Sequence, residues 1–382
     1  MSTITYGILK TCFSRSWGGL EIQTLETTTR LRERGHRTWL ASPPGSRLEQ
    51  EAVRRSIPTL PLDVRGYLHP TLVWHLASFL RSQDVDIIHA ELSRDLATLV
   101  PAMKLSGRPI PIILTKGMGS YISKRDLLHQ FTYASVSRVI AISQVIRTNV
   151  LDTTPMTPER VVTLHNAVDT EMFSPERGRR QQVRGSFGLD DATVVIGFVG
   201  RFSPGKGLEE LLQAAGILRS RIRKMHVLIA GEASYGEEEY AASIRTLARS
   251  LDLDTTVTFA GFRSDIPELM SAFDIFAFPS HAEAFGMVLI EAMAMERPVV
   301  STNCDGVLDI VVDGETGLYV HPRNPQELAE ALATLINDPD RRITMGKAGR
   351  LRVLQLFDQR KQLERLEKIY QDVLREQAAQ RP

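Results

Sequence analysis

The stretch DIFAFPSHAEAFGMVLIEAMA, residues 274–294, decides how the chain is read. It opens on an apolar run of strand length, DIFAFPS (274–280), and closes on an apolar run of helical character. Gly286 is placed to turn the chain tightly between the two. A short loop carries Glu283. The helical run carries Glu291 among Val288, Leu289, Ile290, Ala292 and Met293, where a carboxylate is costly to bury unless hydrogen-bond donors meet it. The hydroxyls of a ligand, such as a ribose diol, would supply those donors, and Glu283 could hold a second polyol. Between the acids the backbone amides of Phe285, Gly286 and Met287 lie at a helix start, where an anion is favoured. Acid, anion site, acid over nine residues suits sugar, diphosphate and ribose in that order. The plain alternative is a solvent-facing Glu291 on an amphipathic helix.

The same strand–loop–helix rhythm extends in both directions. In the second half the strand runs are 194–200, 226–231, 256–261, 298–302 and 317–320. Helical stretches lie at 207–220, 237–251, 266–272, 286–296 and 325–337, and a long charged helical stretch covers 340–378. In the first half strand runs lie at 4–9, 38–42, 85–90, 111–116, 138–143 and 161–166, with a helix from Leu20 to Arg34 stopped by Gly35. Continuous apolar strands alternating with helices predict parallel sheets covered on both faces. At 382 residues one core would be unusually large, so two domains are expected. The polar, arginine-dense stretch 169–188 reads as the connector between them. The expected fold class is α/β, with two doubly wound domains facing across a cleft and ligands at the carboxyl ends of both sheets.

Composition narrows the function. Hydrophobic residues at 43% and charged residues at 24% exclude collagenous, low-complexity and disordered classes. Two cysteines, Cys12 and Cys304, give no disulfide framework and no cysteine zinc site. No signal peptide and no run of bilayer-spanning length is read, so a cytoplasmic location is expected. Residues 1–185 hold 24 Lys+Arg and 16 Asp+Glu (+8), whereas residues 186–382 hold 22 and 29 (−7). The basic half suits an acidic partner, either a phosphorylated acceptor or the anionic inner face of a membrane met peripherally. Nucleic acid is not expected, because the basic residues are scattered and match no groove-reading motif.

Two further loops carry chemistry. Gly18 and Gly19 stand between the first strand and its helix, where paired glycines let a phosphate approach the backbone and a helix start. The run Gly200-Arg201-Phe202-Ser203-Pro204-Gly205-Lys206-Gly207 follows a buried strand and precedes a helix. Arg201 and Lys206 there could neutralise a diphosphate as charge grows on it in a transfer reaction. The run is not a phosphate loop of the Walker type, since Gly207 stands where Ser or Thr should follow the lysine.

Taken together, EAFGMVLIEAMA (283–294), GRFSPGKG (200–207), HNAVDTEMFSP (165–175), DIIHA (86–90), DGETGLYV (313–320) and Gly18-Gly19 resemble retaining glycosyltransferases of family 4 and their E-x7-E signature. The resemblance spans nearly the whole chain. It implies the GT-B fold, with an acceptor-side Rossmann-like domain over 1–170 and a nucleotide-sugar-binding domain over 186–358. A last helix, about 360–382, is implied to pack back on the first domain. It implies a UDP- or GDP-sugar donor gripped by Arg201 and Lys206, with ribose on Glu291 and sugar hydroxyls near Glu283. The amides of Phe285, Gly286 and Met287 would lie near sugar and phosphate, and Gly18-Gly19 would approach the diphosphate. The acceptor would be a glycan or glycolipid, with lipopolysaccharide or another surface polysaccharide as the setting, and no cofactor or metal is expected. Retention is ascribed in the family to the leaving phosphate helping to deprotonate the acceptor on the same face.

The chain departs from that pattern at two places. Lys116 ends the strand that in many members ends in histidine, and it is the second candidate catalytic residue beside Glu283. His89 ends a neighbouring strand and reads as structural. The G-G-x-x-E that usually follows the 298–302 strand is altered to Cys304-Asp305-Gly306-Val307-Leu308-Asp309, where Asp309 is expected to stand in for the glutamate. The D-x-D pairs 84/86, 252/254 and 338/340 read as turn and cap residues rather than metal ligands. A catalytically idle sugar-nucleotide-binding or assembly protein of the same fold is the alternative from another class, and a glycogen- or sucrose-type enzyme the alternative within the family.

Overall fold

The computed structural model of the chain describes residues 5–64, 66 and 69–379. The chain divides into two units, one formed by Met1–His165 and Leu363–Pro382 and the other by Asn166–Gln362. In the first, strands β1 (Gly7–Thr11), β2 (Arg37–Ser42), β3 (Thr59–Pro61), β4 (Ile87–Ala90), β5 (Ile112–Lys116), β6 (Val136–Ala141) and β7 (Val161–Thr163) form one sheet. It runs in the order β3-β2-β1-β4-β5-β6-β7, and its pairs are parallel. Helices α1 (Gly19–Glu33), α2 (Arg47–Arg54), α3 (Pro70–Ser82), α4 (Leu96–Ser106), α5 (Leu127–Ala134) and α6 (Gln144–Thr153) make the crossovers. The chain reverses its direction of growth between β1 and β4, so the loops after those two strands diverge from a switch point, the place where such sheets bind ligands.

The second unit repeats the plan. It begins with α7 (Arg180–Ser186) and β8 (Val194–Val199). There follow α8 (Leu208–Arg219), β9 (Met225–Ala230), α9 (Glu238–Ser250), β10 (Val257–Gly261), α10 (Ile266–Ser271), β11 (Ile275–Phe278) and α11 (Met287–Ala294). It closes with β12 (Val299–Thr302), α12 (Val307–Ile310), β13 (Gly317–Val320), α13 (Pro325–Asn337) and α14 (Pro339–Leu356). Its sheet order is β10-β9-β8-β11-β12-β13, again with parallel pairs. The switch lies between β8 and β11. β11 is buried along its length and β8 at all but its two end residues, as their apolar runs require. Leu208, Leu211, Leu212, Ala215 and Leu218 of α8 pack against Ile196, Val227 and Ile229 of the sheet.

Strand positions follow the sequence reading closely, and the differences have physical causes. The first strand was expected over 4–9. Ile4 lies outside the described residues, and the strand itself runs on through Lys10 and Thr11. Lys10 is 1% exposed and is accommodated because its ammonium pairs with Glu91 at the end of β4. The three-residue edge strand β3 gave no apolar signal of its own. The helical stretch 340–378 is broken after Leu356: Phe357 turns inward, and Asp358 accepts the amides of Arg360 and Lys361, which starts the helix α15 (Gln359–Ala379). From Leu363 on, α15 belongs to the first unit. Its Leu363, Leu366, Tyr370 and Val373 are buried with Ile8, Ile87, Ile113 and Ile140. Residues 380–382 of the expected last helix lie outside the described residues.

The stretch 169–188 is not a free connector. Apart from its first turns it holds α7, and it belongs to the second unit. Arg180 and Arg184 both ion-pair with Asp274, which also accepts the backbone N–H of Val195 at 2.7 Å. Arg184 is 1% exposed and also donates to the carbonyls of Ala272, Asp190 and Thr193. Arginine density signalled a linker, yet here the guanidinium forks satisfy carbonyls at the foot of β8 and β11. Removing Asp274 would strand a buried cation. The Asp274→Ala variant is expected to lose about 3 kcal/mol in urea unfolding, whereas Asp265→Ala, which breaks the more exposed pair with Arg263, should cost under about 1 kcal/mol. Equal losses would contradict this account of α7.

Candidate active site

In the second unit the loops after β8 and β11 meet at the switch point. The approach is closest at Gly207, whose φ is +73° and where an added Cβ would stand 2.1 Å from the carbonyl oxygen of Pro279. No side chain fits there. The contact holds the loop after β8 against the end of β11, and the His281 amide adds a hydrogen bond to the Gly205 carbonyl at 2.8 Å. Lys206 and Glu283 consequently face each other, Nζ to Oε2 at 2.7 Å, with side chains 25% and 21% exposed. The main chain of Glu283 is fixed from the other side: its N–H donates to Asp305 Oδ2 at 3.1 Å, and its carbonyl accepts from the Gly306 N–H at 2.9 Å. His281 Nε2 lies 2.9 Å from Glu210 Oε1 on α8, a further tie between the loop and that helix. Arg201 is exposed, and its guanidinium donates to Ser234 Oγ at 3.3 Å, on the loop after β9.

Helix α11 begins at Gly286, whose φ of +105° admits the sharp entry predicted for it. Phe285 is 2% exposed, with its ring edge-on to Phe357 at 5.8 Å, so the side chain is a packing group. Met287 opens the helix. Glu291 lies one turn further along, partly exposed. Among the described residues no hydrogen bond reaches its carboxyl, and surrounding protein pushes its pKa up to about 7 by desolvation. The costly carboxylate read from the sequence is therefore present, and the folded chain leaves it unneutralised.

In the first unit, Gly18 caps α1 in an extended conformation and its N–H donates to Glu21 Oε2 at 2.9 Å. Nothing in this unit demands glycine here: a Cβ at Gly18 would meet Glu21 at 3.7 Å, and one at Gly19 would meet nothing within 4 Å. Lys116 ends β5. Burial, aided by the neighbouring charge of Lys124, lowers its pKa to about 8, so a minor neutral fraction exists near pH 7. His89 is structural, as read. It is 2% exposed; Nδ1 lies 2.6 Å from Tyr370 Oη of α15 and Nε2 lies 2.7 Å from Thr115 Oγ1, and burial holds its pKa well below the usual value.

The structure thus brings Lys206 and Glu283 into contact and sets Arg201, Phe285, Gly286, Met287 and Glu291 on loops and a helix flanking the same switch. Gly18, Gly19 and Lys116 lie at the carboxyl edge of the other sheet. The acid of the altered loop that contacts Glu283 is Asp305, four residues before Asp309. Asp305 and His281 were missed. The Asp-Gly pair 305–306 after a strand was their available signal, because Gly306 lies so close to Ala284 that a Cβ would stand 2.2 Å from its carbonyl oxygen. The D-x-D acids have local duties: Asp86 accepts the Gly7 N–H, Asp252 pairs with Arg219, and Asp338 caps α14.

Two family models match the chain, glycosyltransferase family 4 over residues 17–172 and glycosyl transferases group 1 over residues 179–352. The capsular polysaccharide biosynthesis glycosyltransferase CapM of Staphylococcus aureus is 31% identical over 287 residues, 71% of this chain and 73% of the relative. A D-inositol 3-phosphate glycosyltransferase of Corynebacterium aurimucosum is 35% identical over 222 residues, 57% of this chain; that match spans about half (52%) of the relative's length. In fold the chain is similar to Anabaena HepE in complex with UDP-glucose, with a TM-score of 0.82 at 24% identity over 96% of this chain and 99% of that one. Two doubly wound sheets of this kind define the GT-B class. The chain belongs to the family 4-type glycosyltransferases.

The position of Glu291 has a consequence for stability. A carboxyl raised to about 7 in the folded state and titrating near 4.5 when unfolded binds more proton folded than unfolded between those values. Stability should therefore fall as pH rises from about 4.5 to 7. Glu291→Gln is expected to flatten that limb in denaturant titrations at several pH values; an unchanged slope would place the carboxyl in water.

Proposed function

We propose that this protein is a retaining glycosyltransferase that moves a sugar from a UDP- or GDP-sugar to a glycan or glycolipid acceptor without cofactor or metal. The setting is synthesis of a surface polysaccharide, with lipopolysaccharide among the candidates, at the cytoplasmic face of a membrane. One observation carries the reading: Glu291, a carboxyl without a hydrogen-bond partner among the described residues, stands on the helix that follows the loop holding Glu283 and Lys206. A ribose diol donates two hydrogen bonds and would satisfy that carboxylate. Names of relatives support the acceptor class, since one acts in capsular polysaccharide synthesis, and the UDP-glucose complex of Anabaena HepE supports the donor class. Among the described residues no helix is long and apolar enough to cross a membrane.

The roles follow from charge and place. Lys206 and Arg201 stabilise the negative charge that grows on the leaving diphosphate, and they are already oriented in the folded unit. The amides at Phe285, Gly286 and Met287 and the α11 start add donors near sugar and phosphate. Glu283 accepts hydroxyls of the transferred sugar. Gly18 and Gly19 offer bare backbone to the diphosphate, which explains glycine where no neighbour requires it. Lys116, largely protonated at neutral pH, serves the acceptor side as a donor. The leaving phosphate oxygen takes the acceptor proton on the face from which it departs, so the anomeric configuration is kept.

A thermal-shift series with nucleotides and nucleotide sugars tests the assignment, because a bound ligand raises the melting temperature by mass action. One nucleoside diphosphate should stand out, and Glu291→Ala should weaken it by about tenfold. Lys206→Ala should mainly lower turnover, by about a hundredfold. Unchanged nucleotide affinity in Glu291→Ala would overturn the ribose assignment. Lys116→Ala is expected to lower kcat by about tenfold or more and to remove the limb of the pH–rate profile near pH 8; a wild-type rate would exclude Lys116 from catalysis.

A further inference from the structure

We infer that the segment from Met118 to Phe131, with its apolar side chains turned outward and basic residues around them, is the surface by which this protein docks on an anionic bilayer. The inference rests on the proposed reading only for what the docked enzyme glycosylates, namely an acceptor anchored in that bilayer. Six large hydrophobic side chains stand exposed within these fourteen residues: Met118 (73%), Tyr121 (105%), Ile122 (66%), Leu127 (84%), Leu128 and Phe131. Single exposed hydrophobics are ordinary on a protein surface, but a run of this density marks a contact site.

The display is built, not accidental slack. The backbone beneath it is tied to α6 at several points. Ser120 N–H donates to Asn149 Oδ1 at 2.7 Å, and Asn149 Nδ2 returns a bond to the Ser120 carbonyl at 3.0 Å. Lys124 N–H donates to the Thr153 carbonyl at 2.6 Å, and the Arg125 guanidinium to the Leu151 carbonyl at 2.8 Å. Asp126 caps α5 through the N–H groups of Leu128 and His129, which fixes Leu127, Leu128 and Phe131 on a helix whose other face buries Thr132 and Tyr133.

Charge selects the occupant. In and against the segment stand three cations, Lys104, Lys124 and Arg125, and within it one acid, Asp126, whose carboxylate is already engaged with His129 at 2.5 Å. Lys104 Nζ sits 4.5 Å from the centre of the Phe131 ring, so a cation and an apolar group share one patch. Apolar groups that enter the headgroup boundary beside lysine and arginine make the combination that holds a protein on anionic lipid. The segment begins two residues after Lys116, at the carboxyl edge of the sheet where the acceptor-side residues Gly18, Gly19 and Lys116 lie. Docking there sets the acceptor edge beside the membrane.

The test is co-sedimentation of the full chain with vesicles of phosphatidylcholine alone and with about 30 mol% phosphatidylglycerol. Anionic vesicles should bind at least about tenfold more tightly, and raising NaCl from about 0.1 to 0.5 M should weaken binding severalfold. Leu127→Gln/Phe131→Gln and, separately, Lys104→Glu should each lower binding by about tenfold, with melting temperature and nucleoside-diphosphate affinity unchanged. Equal binding to neutral and anionic vesicles, or full binding by these variants, would overturn the inference. So would a dimer in solution that the Leu127→Gln/Phe131→Gln variant dissociates, since the patch would then serve a second copy of the chain. Vesicle binding is read without donor, so loss of docking and loss of transferase chemistry are distinguishable results.

Discussion

At Gly207 the chain comes so near the carbonyl of Pro279 that no Cβ can stand between them, and the polar arrangement of the second unit depends on that approach. It joins the loops that follow β8 and β11, the two strands from which the sheet grows in opposite directions. Lys206 and Glu283 face each other because their backbones are held there. Gly306 repeats the device from the β12 side, lying against Ala284 while its N–H fixes the Glu283 carbonyl. Two close backbone contacts therefore set three loops, and the charged side chains inherit their places from main-chain geometry.

The parts of the fold legible in the sequence were those written in apolar periodicity. Strands such as 275–278 and 299–302 are buried on both faces and read as short apolar runs. Glu291 was legible for the complementary reason, as an ionisable group in an apolar run. Elements that depend on polar satisfaction were hidden. Arg180 and Arg184 look like linker residues until Asp274 and the neighbouring carbonyls are seen to surround them. Asp305 reaches Glu283 through a turn with a φ of +43°, a conformation aspartate adopts only occasionally, so the Asp-Gly pair marked a turn but not its partner. The break at Phe357 was hidden by the helical periodicity on both sides of it, although Asp358 is a capping residue.

The first unit shows a different economy of polar groups. Beneath its sheet edge Lys10 pairs with Glu91, and His89 lies within hydrogen-bond distance of Thr115 and of Tyr370, which comes from α15. Burial keeps His89 neutral and Tyr370 protonated, so the contacts of His89 with Tyr370 and Thr115 hold one protonation state across the physiological range. That rigidity lies beside Lys116, whose pKa burial lowers to about 8. A stiff, non-titrating support next to a titrating side chain is what the acceptor role proposed for Lys116 asks of its surroundings.

The Lys206–Glu283 pair gives the donor site, as proposed, a memory of what occupies it. A phosphate that takes the ammonium releases the carboxylate, which then needs hydroxyls to replace the bond it has lost. A diphosphate alone leaves that need unmet, whereas a diphosphate carrying its sugar meets it in the same event. The two halves of an intact donor are therefore bound cooperatively, and the spent nucleotide, lacking the sugar, is the species the pair helps to expel by closing again.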